Sequence, residues 1–229
     1  MSGWTRGRAP SVLLISWLAA LVILIVGWYI PVLGPEPWSK VDQPRPMAII
    51  DALPVLVGTV GIYALTPRLS WLDMQSPRRI WLREALGAAF VIIAASVMGI
   101  IARLTWEVSN WFVHISPDIA AEYVWTNRDY LSPVALVATS ATTTAAVIAI
   151  TYATTAVIGP SVGPATSLLW LLGLYLLQGQ YDFPLLQHGY RVEPLDWSDY
   201  VGTSAFVAVC IAVYVFRHRP LLRRPRHNA

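Results

Sequence analysis

"ALVATSATTTAAVIAITYATTAVIG", Ala135 to Gly159, decides the architecture of this chain. The stretch has no charged residue, and about 20 apolar residues in helical form suffice to cross a bilayer. Yet eight of its residues are Ser or Thr and another eight are Ala. Large apolar side chains suit lipid, and this segment has few of them. Small residues instead let a neighbouring backbone approach closely, and hydroxyls bond across helices or back to their own carbonyls. The segment is therefore expected at the centre of a membrane bundle or at a subunit interface, with protein on both sides.

On a helical wheel, Ser140, Thr143, Thr144, Thr151, Thr154 and Thr155 share one broad face. Ala141, Ala145, Ala149 and Ala153 form a stripe on the other side, flanked by Ala138 and Ala156. The hydroxyl face is a candidate either for helix packing or for lining a path taken by an amphiphilic cargo, and the two roles can coexist.

The rest of the chain agrees with a membrane setting. Of its 229 residues, 56% are apolar and 13% charged, against about 25% charged in a soluble domain. Six candidate spans lie at residues 11–33, 47–66, 84–103, 132–158, 164–180 and 200–217. The longest stretch between them is too short to fold alone without staples. The chain thus reads as all-α, one polytopic transmembrane domain over residues 1–229, with 218–229 as a basic cytoplasmic tail. The first apolar run, Ser11–Leu33, exceeds the core of a cleaved signal peptide and reads as a spanning helix. The breaker "GPSVGP", Gly159–Pro164, separates the fourth and fifth spans. The fifth is the shortest, and a re-entrant hairpin is its alternative reading.

Basic residues orient the spans. With the N-terminus inside, the inner segments hold eleven of the sixteen, namely Arg6, Arg8, Arg68, Arg78, Arg79, Arg83, Arg217, Arg219, Arg223, Arg224 and Arg226. The outer segments hold Lys40, Arg45, Arg103, Arg128 and Arg191. This asymmetry predicts N-in and C-in, and a bacterial inner membrane is the expected location. Asp73 and Glu84 are the inner acids. Trp28, Trp38, Trp71, Trp81, Trp106, Trp111, Trp125 and Trp197 fall near span ends, where a ring gains from apolar and wet surroundings together.

Catalytic signatures are scarce, and no enzyme activity, cofactor, metal or nucleic-acid partner is expected. The phosphate-binding loop pattern does not occur. His114, His188, His218 and His227 lack metal-ligand spacing, and the single Cys210 excludes a thiolate cluster and an internal disulfide. "GPSVG" around Ser161 matches the nucleophile-elbow pattern, but that elbow needs a strand before it and a helix after it. A turn between helices is the natural reading. Asp51, just before Pro54, reads as an outer-interface charge or an N-terminal helix charge meeting the dipole. No acid or base is expected deep in a span, which counts against ion-coupled transport.

Two connections are informative. The inner loop "PRLSWLDMQSPRRIWLRE", Pro67–Glu84, contains a helix start with Ser76 as N-cap and Pro77 at the first position. Its Arg78, Arg79 and Arg83 would meet acidic headgroups or a cytoplasmic partner. The outer connection "QYDFPLLQHGYRVEPLDWSD", Gln180–Asp199, mixes apolar and acidic residues and could dip into the outer leaflet.

Six spans with both ends inside, an inner loop between spans two and three and an apolar outer loop before span six resemble the layout of type-2 ABC exporter permeases. "WTNRDYL", with Trp125, Arg128 and Leu131, is similar to the Trp and Arg-Asn-x-x-Leu-like stretch that precedes a small-residue span in small permeases of that class. Here Asp129 stands in the Asn position and the Leu comes one residue early. The resemblance implies a half-transporter that forms a homodimer, or a heterodimer with a similar permease, and recruits a separate ATPase subunit through Arg78, Arg79 and Arg83. Its cargo would be a peptide, lipid or drug-like amphiphile. The alternative is a non-transporting membrane scaffold, an assembly or immunity factor that binds another membrane protein.

Overall fold

A computed structural model describes residues 9–29, 47–66, 80–112, 133–178 and 196–218. The described residues form six α-helices and one short 3-10 turn, with no strand among them. The helices are α1 (Pro10–Tyr29), α2 (Met47–Leu65), α3 (Ile80–Phe112), α4 (Pro133–Ile158), α5 (Thr166–Gln178) and α6 (Trp197–His218). The fold is all-α. Within α3, α4 and α6, residues Leu82–Thr105, Val137–Ile158 and Trp197–Arg217 are each long and apolar enough to cross a membrane. Pro10–Ile25, Ala52–Leu65 and Gly163–Leu174 are shorter apolar helical stretches. The chain is on this ground a membrane protein.

Local chemistry explains several helix ends. Gly159 closes α4 with a φ of 112°, a left-handed conformation that costs glycine little. Its N–H donates to the Thr155 carbonyl at 2.9 Å. The 3-10 turn Gly163–Ala165 follows, and the Thr166 hydroxyl donates to the Gly163 carbonyl at 2.6 Å to open α5. The described part of α5 has 13 residues, about 20 Å of helix, less than a bilayer core. At α6 the Asp196 N–H donates to Asp199 Oδ2 at 2.9 Å. This is half of a capping box, and it starts the helix at Trp197, three residues before the boundary that apolar length predicts. Helix α3 is also longer than its apolar run, with 33 residues or about 50 Å.

The bundle is built around α4, which packs against α2, α3, α5 and α6, while α1 lies mainly on α2. Glycines set the close crossings. A Cβ at Gly58 of α2 would collide with the Ile148 side chain of α4, and one at Gly61 would press on Val91 of α3 and Leu13 of α1. The Ala9 N–H donates to the Ala64 carbonyl at 2.9 Å, which ties the start of α1 to the end of α2. Because Gly58 faces Ala95 and Gly61 faces Val91, α2 and α3 run antiparallel. The core is continuous through Val55, Ile62, Val91, Ala95, Met98, Val147, Ile148 and Tyr152. Large apolar side chains remain exposed on the outer faces of α1, α3, α5 and α6, among them Leu14, Phe90, Leu169 and Phe216. This apolar exterior is what lipid would cover.

Candidate functional site

Helix α4 carries the hydroxyl face. Ser140, Thr143, Thr144, Thr151 and Thr155 are all buried, and Thr154 is half-buried. A buried hydroxyl needs a partner, and most of these find one in their own helix. Thr144 donates to the Ser140 carbonyl at 2.8 Å, Thr151 to Val147 at 2.6 Å and Thr155 to Thr151 at 2.6 Å. Thr154 donates to the Ile150 and Thr151 carbonyls at 2.9 and 3.0 Å. These back-bonds quench the donor and leave an uncharged, weakly accepting surface of small side chains.

The face divides into two packed seams. Toward the start of α4, the Ser140 hydroxyl points at the Gly99 carbonyl of α3 at 3.4 Å, and Ser96 of α3 donates to the Ala141 carbonyl at 3.2 Å. Gly99 makes this approach possible, since a Cβ there would lie 3.1 Å from Thr144 Oγ1. Toward the end of α4, the chain doubles back into α5. Thr154 and Thr166 share a bond of 3.0 Å, and Thr59 of α2 bonds Ser167 at 2.5 Å. Gly163 sits against the Thr155 backbone so closely that a Cβ would overlap Thr155 Cα. The Tyr63 hydroxyl of α2 donates to the Ser161 carbonyl at 2.9 Å and fastens the turn. Ser161 itself is an exposed turn residue. On the opposite side, Ala149 is buried and Ala141, Ala145 and Ala153 are half-buried. Protein thus covers the hydroxyl face of α4 closely and the alanine side only in part.

Of the arginines proposed for docking, Arg83 is exposed at the start of α3; Arg78 and Arg79 lie outside the described residues. So do His114, His188 and His227, the loop 179–195 and the tail from 219. Among the described residues no group of three His, Cys, Asp or Glu side chains could hold a metal ion.

Two charged residues near opposite ends of the apolar part of α3 are enclosed by the bundle. Glu84, expected as an inner-edge charge, is only 6% exposed, and Arg103, expected outside, is 8% exposed. The Tyr214 hydroxyl of α6 donates to Glu84 Oε2 at 3.3 Å. The Tyr214 ring meets that of Tyr152 on α4 edge-on, with centroids 4.8 Å apart. The Tyr152 hydroxyl is buried and has no hydrogen-bond partner among the described residues. Glu84 opens a stripe that continues through Ala88, Val91, Ala95, Met98 and Ala102, all buried. Steps of three and four residues put them on one helix face. That periodicity is the signal that could have found it.

No family model matches the chain, and neither a curated protein nor a solved structure matches it.

Proposed function

We propose that the protein is the permease subunit of an ABC-type exporter. In this reading it crosses a bacterial inner membrane six times with both ends inside, pairs with itself or a similar permease, and works with a separate ATPase. The observation that carries the reading is α4. A helix long and apolar enough to span is given over to small and hydroxyl side chains and held inside a bundle whose exterior is apolar. Helices packed through small residues can slide or separate with few interlocking side chains to disengage, and uncharged hydroxyls suit an amphiphilic cargo. The exposed Arg83 stands at the start of α3, where a push from a cytoplasmic ATPase would reach α4 through the Gly99–Ser140 seam.

The test is co-purification. Wild-type protein extracted from its native membrane in mild detergent is expected to bring down an ATPase. Arg78→Glu with Arg79→Glu is expected to release it while leaving insertion and fold intact. Both are changed because single surface ion pairs contribute only about 0–1 kcal/mol. Wild-type protein that carries no ATPase would defeat the exporter reading.

A second reading, a non-transporting scaffold that binds another membrane protein, has its own support. The α4 threonines direct their hydroxyls to carbonyls of their own helix, as a face built for close packing alone would. A non-ATPase membrane protein recovered in place of the ATPase would favour it.

A further inference from the structure

We propose that α6 is a displaceable wall of the bundle, latched near its C-terminal end by Tyr214 to Glu84 of α3 and to Tyr152 of α4. This does not depend on the exporter reading. Among the three helices of spanning length, α6 is the least embedded, with 17% of its apolar window buried against 39% and 50% for α3 and α4. Its contact with the bundle is a narrow stripe in which Thr203, Cys210, Tyr214 and Val215 are buried, while Val201, Phe206, Val209, Val213 and Phe216 point outward. Tyr214 is the largest group in that stripe and the one that makes directed contacts. Its hydroxyl reaches Glu84 and its ring meets Tyr152.

The latch is opposed from within. Among the described residues the Tyr152 hydroxyl is enclosed with no hydrogen-bond partner, and a buried donor left unsatisfied favours any state in which it meets water or a polar ligand. Lifting the end of α6 would supply that partner. It would also uncover the face of α4 around Tyr152, which is buried in the closed state. A hydrogen bond and a ring contact hold the wall shut, and one unmet hydroxyl on the facing helix favours release. Such opposed terms are what a two-state element needs.

Cys210 reports on the wall directly. It is the only cysteine of the chain, it is buried, and it lies one helical turn before Tyr214 on the same stripe. In full-length protein in liposomes, its reaction with the permeant reagent N-ethylmaleimide is expected to be slow. Tyr214→Phe and Glu84→Ala should each accelerate it about fivefold, the scale of one lost hydrogen bond. Tyr152→Phe keeps the ring, removes the unmet hydroxyl, and should leave the rate equal or slower. A reporter at Ser167→Cys in a Cys210→Ser background, buried in the α2–α5 seam away from α6, should stay slow in Tyr214→Phe. Cys210 rates within twofold of wild type in Tyr214→Phe would overturn the latch. A parallel rise at the Ser167→Cys reporter would overturn it as well, because the whole bundle would then have loosened. Acceleration by Tyr152→Phe as large as that by Tyr214→Phe would overturn the opposing role of the Tyr152 hydroxyl.

Discussion

Helices α4 and α6 offer stretches of 22 and 21 residues that are both apolar enough to cross a bilayer, yet 50% of the apolar 18-residue window of the first is buried and only 17% of that of the second. Average polarity does not separate them. Side-chain size does. In α4 most of the surface is Ala, Ser and Thr, with Val147, Ile148 and Tyr152 set among them, and Gly99 of α3 comes close enough to face the Ser140 and Thr144 hydroxyls. In α6 the outward positions are Val, Phe and Trp, which find their van der Waals partners in lipid. A membrane bundle has no hydrophobic gain in moving a Leu from lipid to protein, so the helix that goes to the middle is the one that packs best there.

The largest expected effect comes from a glycine in contact with α4. Gly163→Ala sets a Cβ against the Thr155 backbone, which cannot step aside as a flexible side chain would. Overpacking of this kind costs about 3 kcal/mol, at the upper end of its range. Gly202→Ala on α6 has nothing within 4 Å of the new Cβ and should be neutral or stabilising by up to about 1 kcal/mol from helix propensity. The midpoint of unfolding by sodium dodecyl sulfate in mixed micelles compares the two. Equal midpoints would break the contrast between the helices.

How much of this was legible in the sequence follows from the same contrast. Helix is readable because a long apolar run admits little else; what apolar length does not reveal is capping, as at Asp196–Asp199 of α6, or the continuation of α3 to Phe112 beyond its apolar core. The central position of α4 is readable from its small residues. The hydroxyl face is readable as a face, but its bonding is not: whether a threonine bonds its own carbonyl or a neighbour depends on which helix arrives and at what distance. Glu84 escaped for a different reason. A charge at the end of an apolar run looks like an interfacial residue, and only the contact between α3 and α6, distant in sequence, encloses it with Tyr214.

An intermediate effect should follow from bulk on the alanine side of α4. Ala149 is completely buried, so Ala149→Leu should cost about 1–3 kcal/mol. Ala208→Leu on the exposed side of α6 should fall within about 0.5 kcal/mol of wild type. The same unfolding assay reads both. A costly Ala208→Leu would mean that α6 is covered by another protein surface, and the comparison would then be sharpened into one between two interfaces.

The smallest expected effect on stability is also the one that bears on function. Thr151→Val and Thr155→Val nearly preserve volume and remove hydroxyls that donate to carbonyls of their own helix. Those carbonyls already accept within the helix, and hydrogen bonds inside membranes average about 0.6 kcal/mol, so each change should shift unfolding by less than that. A quadruple Thr143, Thr144, Thr151 and Thr155 to Val variant should therefore still fold and associate as wild type does. If the hydroxyl face takes part in moving an amphiphile, this variant should lose or redirect transport in reconstituted vesicles while its unfolding midpoint barely changes, because cargo would meet four methyl groups in place of four weak acceptors. If the face serves packing alone, transport should stay at the wild-type rate. A folded quadruple variant with unaltered transport removes the hydroxyls from any cargo path and leaves α4 as the helix around which the others are assembled.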